Sequence, residues 1–233
     1  MTDDTILLIP GLLCDRVVWE PVLAALGPDA KVQVPSLRAR DSLTDMARDC
    51  LDLADGPLRI AGHSMGARVA MEMARLAPER VERLALLDTG IHPLKDGETE
   101  KRAEIVAFAR DNGMQALAAR WLPGMVHPDR HGDTALMSLL TEMVLRHDPK
   151  IHERQITALV NRPDAASYLG GITCPVQLIV GRQDAWSPVS QHEDMQRILP
   201  HANLVVIEDA GHFAPVEQPQ AVIDALVPFL TSA

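Results

Sequence analysis

A serine with glycine two places before it and two places after it stands in Arg59-Ile60-Ala61-Gly62-His63-Ser64-Met65-Gly66-Ala67-Arg68. This G-x-S-x-G lies between an apolar run and a stretch of good helix formers, the context of a sharp strand-to-helix turn. Such a turn brings strand and helix into near contact, so the second neighbours must lack side chains; Gly62 and Gly66 meet that need. It also lifts the Ser64 hydroxyl above the sheet, at a helix N-terminus where free N–H groups and the helix dipole favour a developing anion. The chemistry on offer is attack by an alcohol. No Gly-Lys-Ser/Thr follows, and no G-x-G-x-x-G with a downstream acid occurs, so phosphate cradling and dinucleotide binding are not expected.

An alcohol needs a base to take its proton and a third group to hold that base in one tautomer. Two later segments offer them. Gly181-Arg182-Gln183-Asp184-Ala185-Trp186-Ser187-Pro188 follows the apolar run Val176 to Val180, and Glu208-Asp209-Ala210-Gly211-His212-Phe213-Ala214-Pro215 follows Leu204 to Ile207. In a parallel sheet the carboxyl ends of the strands share one rim, so Ser64, Asp184 and His212 can meet there. Asp88, which ends Leu84-Ala85-Leu86-Leu87-Asp88, is a second acid at a strand end. His63 is turned away from Ser64 by alternation at the elbow and is expected to make a structural hydrogen bond. Asp209 reads as a turn residue.

The elements that must position these groups alternate. Ile6 to Ile9, Lys31 to Val34, Leu58 to Ala61, Leu84 to Leu87, Val176 to Val180 and Leu204 to Ile207 are short, apolar and without period-two alternation, as strands buried on both faces read. Between them, Val18 to Leu26, Leu43 to Ala54, Met65 to Leu76, Val189 to Leu199 and Gln220 to Leu230 carry helical spacing. The alternation breaks between His92 and Gly171, where Glu100 to Trp121, Asp133 to Arg146 and Ile151 to Val160 read as helices with no strand between. Residues 92–170 are therefore expected to be an inserted helical lid, and 1–91 with 171–233 one α/β body. The insertion has a net charge of −1, which leaves −9 for the body.

With the motif, the later acid and the later base in the order Ser, Asp, His, the chain resembles the α/β-hydrolase superfamily over nearly its whole length. The resemblance implies a mostly parallel sheet of about six strands with flanking helices and a small helical cap. It implies a serine hydrolase, cofactor-free, using Ser64, His212 and Asp184. Pro10-Gly11-Leu12 resembles the family's His-Gly-x loop, with Pro10 in place of His, and assigns the oxyanion donors to the backbone N–H groups of Leu12 and Met65. Asp15 and Trp19 are expected to brace that loop. Carboxylic esters of small to medium apolar acyl or aryl groups are the expected substrates; lactonase, thioesterase, perhydrolase and carbon–carbon hydrolase activities use the same machinery. Some relatives of the fold act instead as small-molecule receptors with slow hydrolysis. Trp121-Leu122-Pro123-Gly124-Met125-Val126 is the candidate pocket lip, so Trp121, Leu122, Met125, Trp186 and Leu13 are the expected pocket residues.

Composition narrows the rest. Twenty-two Lys and Arg against thirty-two Asp and Glu is the wrong sign for nucleic acid or an anionic membrane surface. Seven aromatics leave little for a base-stacking platform. Three cysteines, Cys14, Cys50 and Cys174, form no Cys-x-x-Cys pair and signal neither a disulfide framework nor zinc. His127 and His131 are four apart, but Pro128 spoils a shared helical face, so no metal is expected. An acidic Met1-Thr2-Asp3-Asp4-Thr5 is unlike a secretory leader, and no apolar run approaches the roughly 18 residues of a membrane span. A cytoplasmic protein is expected.

Overall fold

The computed structural model describes residues 4–232. Met1 to Asp3, part of the segment read for a leader, lie outside the described residues. The strands are β1 (Thr5–Ile9), β2 (Val32–Gln33), β3 (Leu58–His63), β4 (Val81–Leu87), β5 (Val176–Gly181) and β6 (Asn203–Ile207). They form one sheet in the order β2-β1-β3-β4-β5-β6, with every neighbouring pair parallel. The expected α/β architecture of about six strands is the one found.

The continuous apolar runs have a simple cause. Successive residues point to opposite faces of a sheet, and here both faces are covered. Leu7, Ile9, Ile60, Leu84, Leu86 and Leu178 belong to one buried cluster, shared with Met46 and Cys50 of α2 (Leu43–Leu51) and Met71 and Met73 of α3 (Met65–Leu76). Ile6, Leu8, Ala61, Ala85, Leu87 and Ile179 belong to the other. That second cluster takes in Val22 of α1 (Glu20–Leu26) and Val222, Leu226 and Leu230 of the C-terminal helix Pro219–Thr231.

Between β4 and β5 run α4 (Glu98–Trp121), α5 (Thr134–Leu145) and α6 (Pro149–Val160), as the broken alternation predicts. The apolar faces of α4 and α5 join the second cluster through Leu117, Leu140 and Met143, and α6 joins the first through Ala158 and Leu159. One helix read as continuous is not: Gly113 adopts φ 80° and ψ 171° and kinks α4, consistent with the turn-forming run Asp111-Asn112-Gly113. Beyond β5 come α7 (Val189–Ile198), then β6, a short α8 (Ala214–Glu217) that periodicity does not reveal, and α9 (Pro219–Thr231). The helix expected over Leu43 to Ala54 stops at Leu51, where the Arg80 guanidinium takes the carbonyls of Leu51, Ala54 and Gly56.

The turn from β3 to α3 is as crowded as its glycines imply. A Cβ on Gly62 would lie 2.4 Å from the Gly66 carbonyl oxygen and 2.5 Å from Ala67 Cα. A Cβ on Gly66 would lie 2.2 Å from the Ile9 carbonyl oxygen. Both obstacles are backbone and cannot rotate away. Gly66→Ala is accordingly expected to cost about 3 kcal/mol, the upper part of the overpacking range, and to lower Tm by on the order of 10 °C. Calorimetry checks this; a fall under about 2 °C would contradict the packing described.

Candidate active site

Four non-glycine residues among those described have positive φ: Leu13 (55°), Ser64 (55°), Asp88 (47°) and Asp209 (54°). They follow the carboxyl ends of β1, β3, β4 and β6, so the backbone strain is gathered on one rim of the sheet, a common mark of a functional edge. Ser64, at ψ −116°, is held from both sides. Its N–H donates to the Leu87 carbonyl at 2.8 Å, and its carbonyl accepts the Thr89 hydroxyl at 3.0 Å.

At that rim the three residues picked out by sequence meet. His212 Nδ1 lies 2.8 Å from Asp184 Oδ2, and His212 Nε2 lies 2.8 Å from Ser64 Oγ. The ionised carboxylate can only accept, so Nδ1 carries the proton, Nε2 is the lone-pair nitrogen and the serine hydroxyl donates to it. Asp184 is nearly fully buried. Burial alone would raise its pKa, but the facing His212 and bonds from His212 and Ser187 outweigh this and hold it far below the ordinary carboxylate range. Its Oδ1 accepts the N–H groups of Trp186 (2.8 Å) and Ser187 (2.9 Å), and Oδ2 also accepts the Ser187 hydroxyl at 2.6 Å.

Asp88, the other candidate acid, is placed differently. It is fully buried, its Oδ1 accepts the Gly181 N–H at 2.9 Å, and burial together with the Asp184 charge pushes its pKa well above the ordinary carboxylate value, favouring the neutral acid. It makes no hydrogen bond to His212. His63 behaves as expected: its Nε2 donates to the His212 carbonyl at 2.7 Å, its ring stacks near Phe213, and Trp19 meets it edge-on. Asp15 accepts the Val17 N–H and pairs with Arg146 of the inserted segment at 2.6 Å. Of the histidine pair, His127 Nδ1 accepts the Asp129 N–H, and His131 Nε2 donates to the Val126 carbonyl.

The loop after β1 lies directly over the serine: a Cβ on Gly11 would sit 3.1 Å from Ser64 Cβ. Among the described residues, no acceptor takes the N–H of Leu12 or of Met65. Both N–H groups are thus unpaired within the described residues.

Residues 6–225 match the model of the alpha/beta hydrolase family. The chain belongs to the α/β-hydrolase family. A pimeloyl-[acyl-carrier protein] methyl ester esterase of Nitrosomonas europaea is 27% identical over 224 residues, spanning 89% of this chain and 88% of the relative. A thermophilic esterase from Thermogutta terrifontis, solved with malate bound, superimposes with a TM-score of 0.89 at 28% identity, covering 98% of this chain and 90% of that one. The enol-lactonase from Burkholderia xenovorans LB400 shares the fold, with a TM-score of 0.89 at 23% identity over 100% of this chain and 93% of its own.

In this α/β hydrolase, Ser64 and His212 open into a cavity of about 730 Å³, between the rim and the inserted helices. Leu12, Ile105, Leu117, Trp121, Met125 and Trp186 give it apolar walls. Of the expected pocket residues, Trp121, Met125 and Trp186 line this cavity, Trp186 more than half exposed, and Leu13 and Leu122 are not in its lining. Leu13 turns into the core, and its N–H donates to Gln155 Oε1 of α6 at 2.9 Å; Leu122 is buried among the inserted helices. In both cases a neighbour one residue away faces the cavity instead, a distinction that spacing in an irregular loop does not supply.

Sequence reasoning also missed Glu217. It is buried, its Oε1 accepts the N–H groups of Gly211 (3.1 Å) and Phe213 (3.0 Å), and its Oε2 accepts that of His127 (2.8 Å). The His212 N–H in turn donates to the Met125 carbonyl at 2.7 Å. One carboxylate thus ties the histidine loop to the inserted segment. The available signal was an acid in an otherwise apolar stretch, Phe213-Ala214-Pro215-Val216-Glu217.

No group of three His, Cys, Asp or Glu among the described residues could hold a metal, and no helix among them is long and apolar enough to cross a membrane. The buried histidines give the fold a pH dependence. Burial pulls His63 down to about 3 and His152 and His192 to about 4. Unfolding lets each bind a proton below its ordinary value near pH 6.5, so their stability is complete above that pH and is lost as pH falls toward 4. Asp88 acts oppositely, since it is protonated when folded and ionised when unfolded above about pH 4. His92 and His147 are lowered in the same direction, so the histidines together outweigh Asp88 and the fold loses stability as the solution is acidified below about pH 6.5. Urea midpoints are expected to fall steeply from pH 6.5 to 4.5; a flat profile would contradict this charge assignment.

Proposed function

We propose that this α/β hydrolase is a serine carboxylesterase, with Ser64 the nucleophile, His212 the general base and Asp184 the residue that orients it. The observation that carries this is the continuous bond chain Ser64 Oγ to His212 Nε2 and His212 Nδ1 to Asp184 Oδ2, each 2.8 Å, opening into a cavity walled in part by apolar side chains. His212 takes the serine proton as Oγ attacks the ester carbonyl. The oxyanion that forms is received by the N–H groups of Leu12 and Met65, each worth roughly 10²–10³ in rate. Asp184 stabilises the imidazolium, which then protonates the departing alcohol. Water, activated by the same His212, releases the acid from the acyl-enzyme.

Residues 92–170 act as the cap that shapes the acyl site, with Trp121, Met125 and Trp186 as its apolar walls. Its firm attachment through Glu217 and Arg146 supports a cap that is part of the site and not a loose flap. The absence of nucleic-acid or membrane chemistry in the charge balance supports a small-molecule ester as the partner. Three free cysteines, Cys14, Cys50 and Cys174, support a cytoplasmic setting. The test is a series of chromogenic esters from acetyl to decanoyl, with a lactone and a thioester beside them. Steady turnover with an optimum at short to medium acyl chains is expected. A folded protein that turns over none of the esters sinks the esterase reading, and turnover of the lactone alone transfers it to ring opening.

A further inference from the structure

We propose that Arg68, with Arg102 and Arg162, forms an anion subsite in the wall of the active-site cavity, and that the preferred substrate is an ester carrying a carboxylate. All three arginines line the cavity that holds Ser64. The inference rests on the esterase reading for the position of the ester group, and the subsite itself can be tested without turnover.

Arg68 stands in the first turn of α3, four residues after Ser64, where the helix dipole opposes a cation. Local stability therefore gives no reason for an arginine there. The one hydrogen bond of its side chain among the described residues is to the His92 carbonyl at 3.3 Å, and the same oxygen is taken by Arg162 Nε at 3.1 Å. Among the described residues no carboxylate forms an ion pair with it. Burial and the neighbouring Arg162 lower its pKa to about 10, which leaves it charged at neutral pH.

The nearby carboxylate is already occupied. Glu98 Oε1 accepts Arg102 Nε at 2.7 Å and an Arg162 nitrogen at 2.8 Å; its Oε2 accepts the other Arg162 nitrogen at 2.7 Å and the Lys95 N–H at 3.1 Å. Burial would raise this acid, but those bonds hold it down at about 2, so it is a committed anion. Three guanidinium groups around one carboxylate leave two positive charges in a partly dry wall. Elsewhere in the lining Lys95 and Lys101 are offset by Asp96 and Glu104, and Arg120 adds one more positive charge, so the cavity carries an excess of arginine charge. His92 is kept neutral by burial and by Lys95 and adds no charge.

Uncompensated buried charge is costly, and the cost is recovered when an opposite charge enters. A guanidinium presents paired N–H donors that fit the two oxygens of a carboxylate. Arg68, in the first turn of the helix that Ser64 caps, lines the same cavity as the serine. A single small molecule can therefore span the nucleophile and the arginines. A charge-assisted contact of this kind is worth about tenfold or more in affinity.

The experiment compares monomethyl glutarate and monomethyl adipate with methyl pentanoate and methyl hexanoate, followed by proton release. The wild type is expected to favour the carboxylate esters at least tenfold in kcat/KM, through KM. Arg68→Gln should reduce that ratio tenfold or more, and Arg68→Lys should restore part of it. Equal kcat/KM for the two series in the wild type overturns the proposal, as does a ratio that survives Arg68→Gln. If no ester is turned over, the esterase reading fails alone, and calorimetric binding to Ser64→Ala decides the subsite. Monomethyl adipate should then bind at least tenfold more tightly than methyl hexanoate, and lose that margin in Ser64→Ala/Arg68→Gln. Equal binding of the two compounds overturns it.

Discussion

Ser64→Ala is expected to lower kcat on the best ester by on the order of 10⁶, the loss seen when a serine nucleophile is removed from an intact site. The change deletes one oxygen, the atom that would form the acyl bond, and with it the 2.8 Å bond to His212 Nε2. Little else should move. Ser64 sits at φ 55°, alanine meets the same backbone there, and the bonds that fix the turn, from the Ser64 N–H to Leu87 and from Thr89 to the Ser64 carbonyl, involve backbone atoms of this residue. The Leu12 and Met65 donors also survive, so a residual rate roughly 10³–10⁴ above water is expected. Steady-state kinetics with a matched Tm would measure it. Activity within tenfold of the wild type would mean that the cavity works by another nucleophile.

Asp184→Asn is expected to cost roughly 10⁴ in kcat, the effect of presenting the histidine with a wrong-tautomer partner. As a carboxylate, Asp184 accepts from four donors: His212 Nδ1, the Ser187 hydroxyl and the N–H groups of Trp186 and Ser187. An amide offers one acceptor oxygen. Two backbone N–H groups and a hydroxyl compete for it, which turns the NH₂ toward His212 and moves the imidazole proton to the nitrogen facing Ser64. The base is then blocked. Asp88→Asn is the informative companion, because both acids end a loop on the same rim. Asp88 is held protonated and accepts the Gly181 N–H, a bond an amide oxygen keeps. Its variant should lose less than about tenfold in kcat. Equal losses would mean that both acids share the orienting role.

What could be read from sequence is what local physics enforces. The central strands, covered on both faces, must be largely apolar, and the edge strands β2 and β6, only partly covered, still carry short apolar runs, so all six are legible. Gly62 and Gly66 are demanded by contacts within a few residues, so the elbow was visible, and the order of Asp184 and His212 followed from which strands they end. Glu217, Gln155 and Arg68 are different. Their roles depend on groups brought from 90, 142 and 94 residues away, His127, Leu13 and Arg162, and a lone acid, amide or base carries no mark of such a partner. Leu13 and Leu122 lie outside the cavity lining for a shared reason: in loops without a fixed period, adjacent residues face opposite ways, and only packing decides which one meets the cavity.

The most direct test of the serine mechanism is to catch the acyl group. Wild-type protein mixed with a chromogenic ester, quenched in acid during the burst and digested, should give one peptide heavier by the acyl mass, with the modification on Ser64. The same peptide from Ser64→Ala should be unmodified. An acyl group found on any other residue, or a burst with no acylated peptide, would contradict the assignment of Ser64 as the nucleophile.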